Sequence, residues 1–283
     1  MGQIICIVNQ KGGVGKTTTC VNLSASLAVL GQKILVIDLD PQANATTASM
    51  AQAYPDFKNI ASVLLGEHNI VEAIVVTPAQ YALIPGNSAL TATELHLLHN
   101  EQREYCLSKC LAEIRDDYDY ILLDCPPSLT LLTVNALAAS DSVIVPVQCE
   151  YLALEGLSSL IRTIEETRET INPKLYIHGL LRTLFDGRNS LSRQVSEELL
   201  LHFKTKVYDT IIPRNIRLAE APSYGQPILI YDPQAAGSLA YLQLAQEILI
   251  KDGRTQTTQE QLTATGPLPL LRQRASKPES MKE

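Results

Sequence analysis

The densest chemistry in the chain lies in one run near its start, Asn9-Gln10-Lys11-Gly12-Gly13-Val14-Gly15-Lys16-Thr17-Thr18. A short apolar stretch, Ile4 to Val8, precedes it, and an apolar-periodic segment, Val21 to Leu30, comes after. That reads as strand, glycine loop, helix. Such a loop aims several backbone N–H groups and the positive end of a helix at one spot, which suits a phosphate. Lys16 then reaches the outer phosphates of a nucleotide, and the Thr17 hydroxyl is a ligand for Mg²⁺. The loop departs from G-x-x-x-x-G-K-[ST]. Gln10 stands where that pattern has its first glycine, and a second lysine, Lys11, sits inside the loop.

Two acidic segments complete the set. Asp38-Leu39-Asp40-Pro41-Gln42 closes an apolar run. Alternate strand residues point to opposite faces, so Asp38 and Asp40 are expected on the same side. An acid near a terminal phosphate is repelled unless Mg²⁺ or water lies between. Asp40 is therefore expected to position the attacking water, and Asp38 to support the Mg²⁺ shell. Tyr120-Ile121-Leu122-Leu123-Asp124 has the Walker B form, with Asp124 holding Mg²⁺ through water or from the second shell. Further along, Ile212-Pro213-Arg214-Asn215 offers a flat apolar ring in Pro213 and a donor–acceptor amide in Asn215. That pair suits a purine face and edge.

The elements that must position these residues read as strand alternating with helix. Val/Ile/Leu runs predict strands at Gln3–Val8, Lys33–Asp38, Tyr81–Pro85, Tyr120–Asp124, Ser142–Val147, Tyr176–Leu184 and Lys206–Thr210. Helical spacing predicts Lys16–Leu30, Ala43–Met50, Ile60–Ala73, Leu90–Asp116, Leu129–Ala138, Ala153–Thr170, Leu191–Phe203 and Pro233–Lys251. The expectation is α/β: a single doubly wound, mostly parallel sheet flanked by helices. Ligands of such sheets bind at the carboxyl ends of the strands, where the glycine loop, Asp38, Asp40 and Asp124 fall.

The chain has 283 residues, 46% of them hydrophobic, enough for one large domain. Residues 1–251 are expected to form it. The tail 252–283, rich in Thr, Gln, Pro and charge, is expected to be disordered. No apolar stretch approaches a membrane span, and no basic leader opens the chain, so a cytoplasmic setting is expected. The six cysteines are scattered and read as reduced thiols. Cys106 and Cys110 share a helix face, but no matching Cys/His pair accompanies them. A net charge of −7 argues against a broadly basic nucleic-acid binder. Basic residues nevertheless concentrate between Arg182 and Arg217: Arg182, Arg188, Arg193, Lys204, Lys206, Arg214 and Arg217.

The loop Lys11–Thr18 resembles the deviant Walker A motif of the ParA/MinD ATPases. The match extends over about Gln3 to Ile250 and is sharpest in the Lys11 loop, Asp38–Asn44 and Thr210–Ser223. The resemblance implies that Lys11 is the family's signature lysine, which reaches across a dimer interface to the partner's nucleotide. ATP would then lie between two subunits, bound by Lys11, Gly12, Gly13, Val14, Gly15, Lys16, Thr17 and Thr18. The aspartate matching Asp40 is the family's hydrolytic one. Thr210–Ser223 is similar to the chromosomal ParA (Soj) subgroup, in which the residues matching Pro213 and Asn215 hold adenine. Arginines of that subgroup form a non-specific DNA surface, and Arg188 and Arg217 are the matching positions.

The same resemblance implies an ATPase of chromosome or plasmid segregation, cytoplasmic and nucleoid-associated, with ATP and Mg²⁺. It would form an ATP-dependent homodimer, bind DNA without sequence preference, and turn over slowly until stimulated by a ParB-type centromere-binding partner. A side chain at Gly12 should clash in so close a dimer. Three alternatives share the loop. A MinD-like protein would bind membrane through a basic amphipathic last helix, which the polar tail does not resemble. A nucleotide-dependent switch for replication initiation or cargo positioning would use the same residues. An iron–sulfur reductase needs cluster cysteines, and Cys125 is too close to Asp124 to serve. No DNA-reading helix-turn-helix is expected before Gln3, and no counterpart of the tail is expected in the compact family core.

Overall fold

The computed structural model describes residues 2–50, 58–151 and 153–254. The tail expected to be disordered lies outside the described residues from 255 onward. The chain divides at Glu247 into a unit of residues 1–247 and a second of 248–283. The whole sheet belongs to the first unit.

Eight strands form that sheet: β1 (Gln3–Ile7), β2 (Ile34–Asp38), β3 (Val75–Val76), β4 (Ala82–Ile84), β5 (Tyr120–Asp124), β6 (Ser142–Gln148), β7 (Tyr176–Phe185) and β8 (Val207–Pro213). Their order is β3-β4-β2-β5-β1-β6-β7-β8, parallel throughout except for β3 against β4. Every residue of β2 and β5 is buried, as continuous apolar runs covered on both faces must be. The connection from β1 runs to β2 on one side while that from β5 crosses β1 to β6 on the other, so the loops after β1, β2 and β5 open into one crevice at the carboxyl end of the sheet. Register places Asp38 at the end of β2 directly beside Asp124 at the end of β5.

The expected sheet is present, with four departures among its elements. β3 is a two-residue antiparallel edge, too short to show a pattern. β8 runs to Pro213, so Pro213 ends the strand rather than coming after it. The single helix expected over Leu90–Asp116 is broken into Leu90–Leu97, a 3-10 turn at Arg103–Tyr105, and Cys106–Leu111, with Gln102 left-handed at φ 57°. The break is sustained from outside. Asn135 accepts from Leu107 N–H at 3.1 Å and donates to Arg103 O at 2.8 Å, replacing helical bonds. The helix expected over Ile60–Ala73 stops at Leu64, with Gly66 at φ 73° as its terminator and a separate 3-10 turn at Ile70–Ala73.

Candidate nucleotide site

The glycine loop runs from β1 to the helix Lys16–Val29. Asn9, buried below it, ties its first turn to β6. The Asn9 amide donates to Pro146 O on β6 at 2.7 Å and accepts from Lys11 N–H at 2.9 Å. Gly13 and Gly15 adopt φ 74° and 90°, where a side chain would be strained. No acceptor among the described residues takes the N–H groups of Gly12, Gly13, Val14, Gly15 or Lys16, so they are left for a ligand. The helix has no side-chain cap at Gly15 and no acid in its first turn, which leaves its positive end uncompensated.

Gly12, Gly13, Gly15, Lys16, Thr17 and Thr18 line a cavity of about 550 Å³, a volume suited to one small ligand. Lys16 is only 7% exposed, and its ammonium donates to Lys11 O at 3.2 Å. Burial pulls it below the ordinary lysine range, against the opposing charges of Asp124, Cys125 and Asp40.

Thr17 Oγ1 donates to Asp124 Oδ2 at 2.8 Å. Asp124 is fully buried, and its Oδ1 has no partner among the described residues. Burial, and then the neighbouring Asp38, push the Asp124 carboxyl well above the usual range. A buried carboxylate oxygen with nothing to accept from, beside a hydroxyl and a second acid, is a place prepared for a cation. The donors are hard oxygens, which fit Mg²⁺. No cage of three or more His, Cys, Asp or Glu exists among the described residues. That too fits Mg²⁺, which takes one or two side chains together with substrate phosphates.

Asp38 and Asp40 differ in their surroundings. Asp40, 7% exposed, lines the cavity and accepts from Gln42 N–H at 2.9 Å. Asp38 is turned inward. Its Oδ2 accepts from Thr46 N–H at 2.8 Å and Thr46 Oγ1 at 2.7 Å, and its Oδ1 from Asp40 N–H at 3.2 Å. Burial pushes Asp38 up to about 6, against the Thr46 bonds.

At the other end of the cavity stand Ile212, Pro213, Asn215 and Leu218. Asn215 Oδ1 caps the short helix Ile216–Glu220 by accepting from Leu218 N–H at 3.1 Å, leaving its amide NH₂ to donate. Lys11 does not line the cavity. Its ammonium is salt-bridged to Glu150 at 2.8 Å, on the surface. A Cβ built on Gly12 meets nothing within 4 Å among the described residues, so none of them requires glycine there.

Arg188 and Arg217 lie just past the carboxyl ends of the neighbouring strands β7 and β8. Arg188 is 92% exposed and forks onto Asp186 at 3.0 and 2.8 Å. Arg217 pairs with Glu220 at 2.9 Å and Asp232 at 3.5 Å, over the Tyr231 ring. Arg182, the first of the basic run, is not on the surface. It is 5% exposed, with its guanidinium on Ser196, Tyr208 O and Asp209 O. Gln42, Asn22, Thr183 and Leu184 also form the cavity wall, and sequence reasoning missed them. None carries a local pattern that would have marked it.

A glycine loop on β1, a threonine–aspartate pair against β5 and a cavity at the carboxyl end of a parallel sheet define a P-loop nucleotide-binding protein. A family model described as an AAA domain (AAA_31) matches residues 2–177. The sporulation initiation inhibitor protein Soj of Bacillus subtilis is 47% identical over 249 residues, 88% of this chain and 98% of its own. The chromosome partitioning protein ParA of Caulobacter vibrioides is 47% identical over 253 residues, 88% of this chain and 95% of its own. Among solved structures, cobyrinic acid a,c-diamide synthase from Mycobacterium smegmatis, with bound ADP and magnesium, superposes with a TM-score of 0.77 at 36% identity, covering 90% of this chain and 97% of its own. The chain belongs to the AAA_31 family and, within it, to the Soj/ParA group of chromosome-partitioning ATPases.

Proposed function

We propose that this chain is an ATP-driven DNA-segregation switch, with residues 1–251 as its ATPase domain. The observation that carries the reading is the Thr17–Asp124 pair beside the free amides of the glycine loop, with Asp124 Oδ1 lacking any partner among the described residues. ATP would lie with its triphosphate on Gly12–Thr18 and its adenine against Pro213 and Asn215. Mg²⁺, when bound, neutralises charge on the outer phosphates. Thr17 would hold it directly and Asp124 through water, with Asp38 behind them. Asp40, the acid on the cavity wall, orients the attacking water.

Lys11 acts on a second copy of the chain. A cation delivered in trans stabilises charge on the transferring phosphoryl group. Hydrolysis is slow until a ParB-type partner engages the dimer. Arg188 and Arg217 form the DNA surface, doubled in the dimer, since affinity for backbone phosphate rises steeply with the number of contacts. Both arginines are exposed, and pairs open to water hold weakly enough for phosphate to displace them. No described helix is long and apolar enough to cross a membrane. The nucleoid is the expected location.

The test is binding to a non-specific DNA duplex at fixed salt, with no nucleotide, ADP or ATP, and with ATP on Asp40→Ala. Tight binding with ATP alone, stronger in the variant, supports the reading. No DNA binding in any state, with ATP still bound, overturns the DNA-dependent role.

A further inference from the structure

Thr183 on β7 donates its hydroxyl to the Val14 carbonyl at 2.7 Å, and both residues are buried. We infer that Thr183 is a positioning residue for the phosphate loop, fixing the orientation of the Val14–Gly15 peptide so that the Gly15 N–H is presented to the triphosphate. The inference rests on reading the loop as an ATP site.

The physical argument starts from the planarity of the peptide unit. In a trans peptide the C=O of one residue and the N–H of the next point in opposite directions. With Val14 O held toward β7, Gly15 N–H must point away from it, and there it meets no acceptor among the described residues. Gly15 sits at φ 90°. Flipping the peptide would bring φ near the mirror value, which glycine accepts as readily. A flipped peptide would present the Val14 carbonyl, a negative dipole end, to a phosphate. The glycine that permits the bound geometry therefore also permits the wrong one. An external bond must choose between them, and Thr183 makes it.

The anchor is held firmly. Arg182, the preceding residue, donates to Tyr208 O at 2.8 Å, Asp209 O at 3.0 Å and Ser196 Oγ at 3.0 Å. Those carbonyls lie where the β7–β8 register shifts. Leu184, the next residue, holds a left-handed φ of 50°, a conformation that persists only where the surroundings over-determine it. Thr183 itself lines the cavity, and its Cβ and Cγ2 lie 3.9 Å from the position of a Cβ on Gly15. One residue thus joins the phosphate loop to the strand that borders the base end of the site.

The experiment measures the Kd for Mg-ATP of the full chain and of Thr183→Val, Thr183→Ala and Thr183→Ser, with thermal melts of each without nucleotide. Valine keeps the shape and removes the hydroxyl, alanine also admits water to Val14 O, and serine keeps the hydroxyl. Loss of one net hydrogen bond corresponds to about a fivefold to tenfold change in an equilibrium. The expected result is ATP affinity weakened about that much in the valine and alanine variants and restored within about twofold by serine. Unchanged affinity in the two deletions overturns the inference, as does an equal loss in the serine variant. Should the valine variant fail to fold, alanine carries the same expectation. Failure of the unmodified chain to bind Mg-ATP would instead remove the site reading beneath it.

Discussion

Lys11 Nζ and Glu150 Oε2 lie 2.8 Å apart, joining the glycine loop to the segment after β6 within a single chain. The two side chains are 42% and 48% exposed. A pair this open to water contributes about 0.2–1 kcal/mol, so it is easily exchanged for another partner. Lys11 is therefore stored at the surface at little cost, outside its own chain's cavity. Glu150→Gln should change the unfolding free energy by under about 1 kcal/mol in a denaturant titration. Lys11→Ala should leave the fold intact and abolish the ATP-dependent dimer in light scattering. A dimer that persists in Lys11→Ala would take the lysine out of the interface.

Gly12 has open space around its missing Cβ, so a valine there meets no obstacle among the described residues. Gly12→Val is expected to fold, bind ATP and remain monomeric. The check is light scattering with ATP, and a dimer of normal size would show that no partner approaches Gly12 closely.

Asp40 is the acid on the cavity wall, held by the Gln42 N–H at 2.9 Å. Asp40→Ala should retain ATP binding and lose hydrolysis by about two orders of magnitude, within the usual worth of one acid–base group. Single-turnover ATP cleavage measures it. Turnover equal to the unmodified chain would assign the water to another residue.

Asp124 is buried, unpartnered at Oδ1 and pushed toward its protonated form. Such a group is destabilising until a cation arrives. Asp124→Asn should therefore melt no lower than the unmodified chain without ligand, yet lose most of the upward shift produced by Mg-ATP. Melting curves with and without Mg-ATP decide this. A variant that gains the full shift would place the cation elsewhere.

Arg217 stands among Glu220, Asp232 and Tyr231 at the end of β8. If it contacts DNA phosphate, Arg217→Ala should weaken binding for all sequences alike and reduce the slope of log affinity against log salt by about one per subunit. Unchanged affinity and slope would move the DNA surface away from this helix.

Local pattern carried the glycine loop, the strands ending in Asp38 and Asp124, and the alternation that builds a parallel sheet. These are signals within a few residues of each other, because glycine torsions, strand burial and helix dipoles are local physics. The same signals overshot at Leu90–Asp116, where periodicity continued but Asn135, distant in sequence, broke the helix by taking its hydrogen bonds. They misjudged Arg182, whose charge suggested a surface and whose burial is set by three acceptors on other elements.

A glycine loop, a strand-ending acid and an α/β sheet are all legible in the order of residues, since each depends on residue type and short-range spacing. How they are aimed is a property of the folded chain. Thr17 meets Asp124 across 107 positions, Lys11 meets Glu150 across 139, and Thr183 holds Val14 across 169. Contacts at such separations depend on strand order and register, which bring together residues whose own neighbours in the chain carry no trace of the pairing.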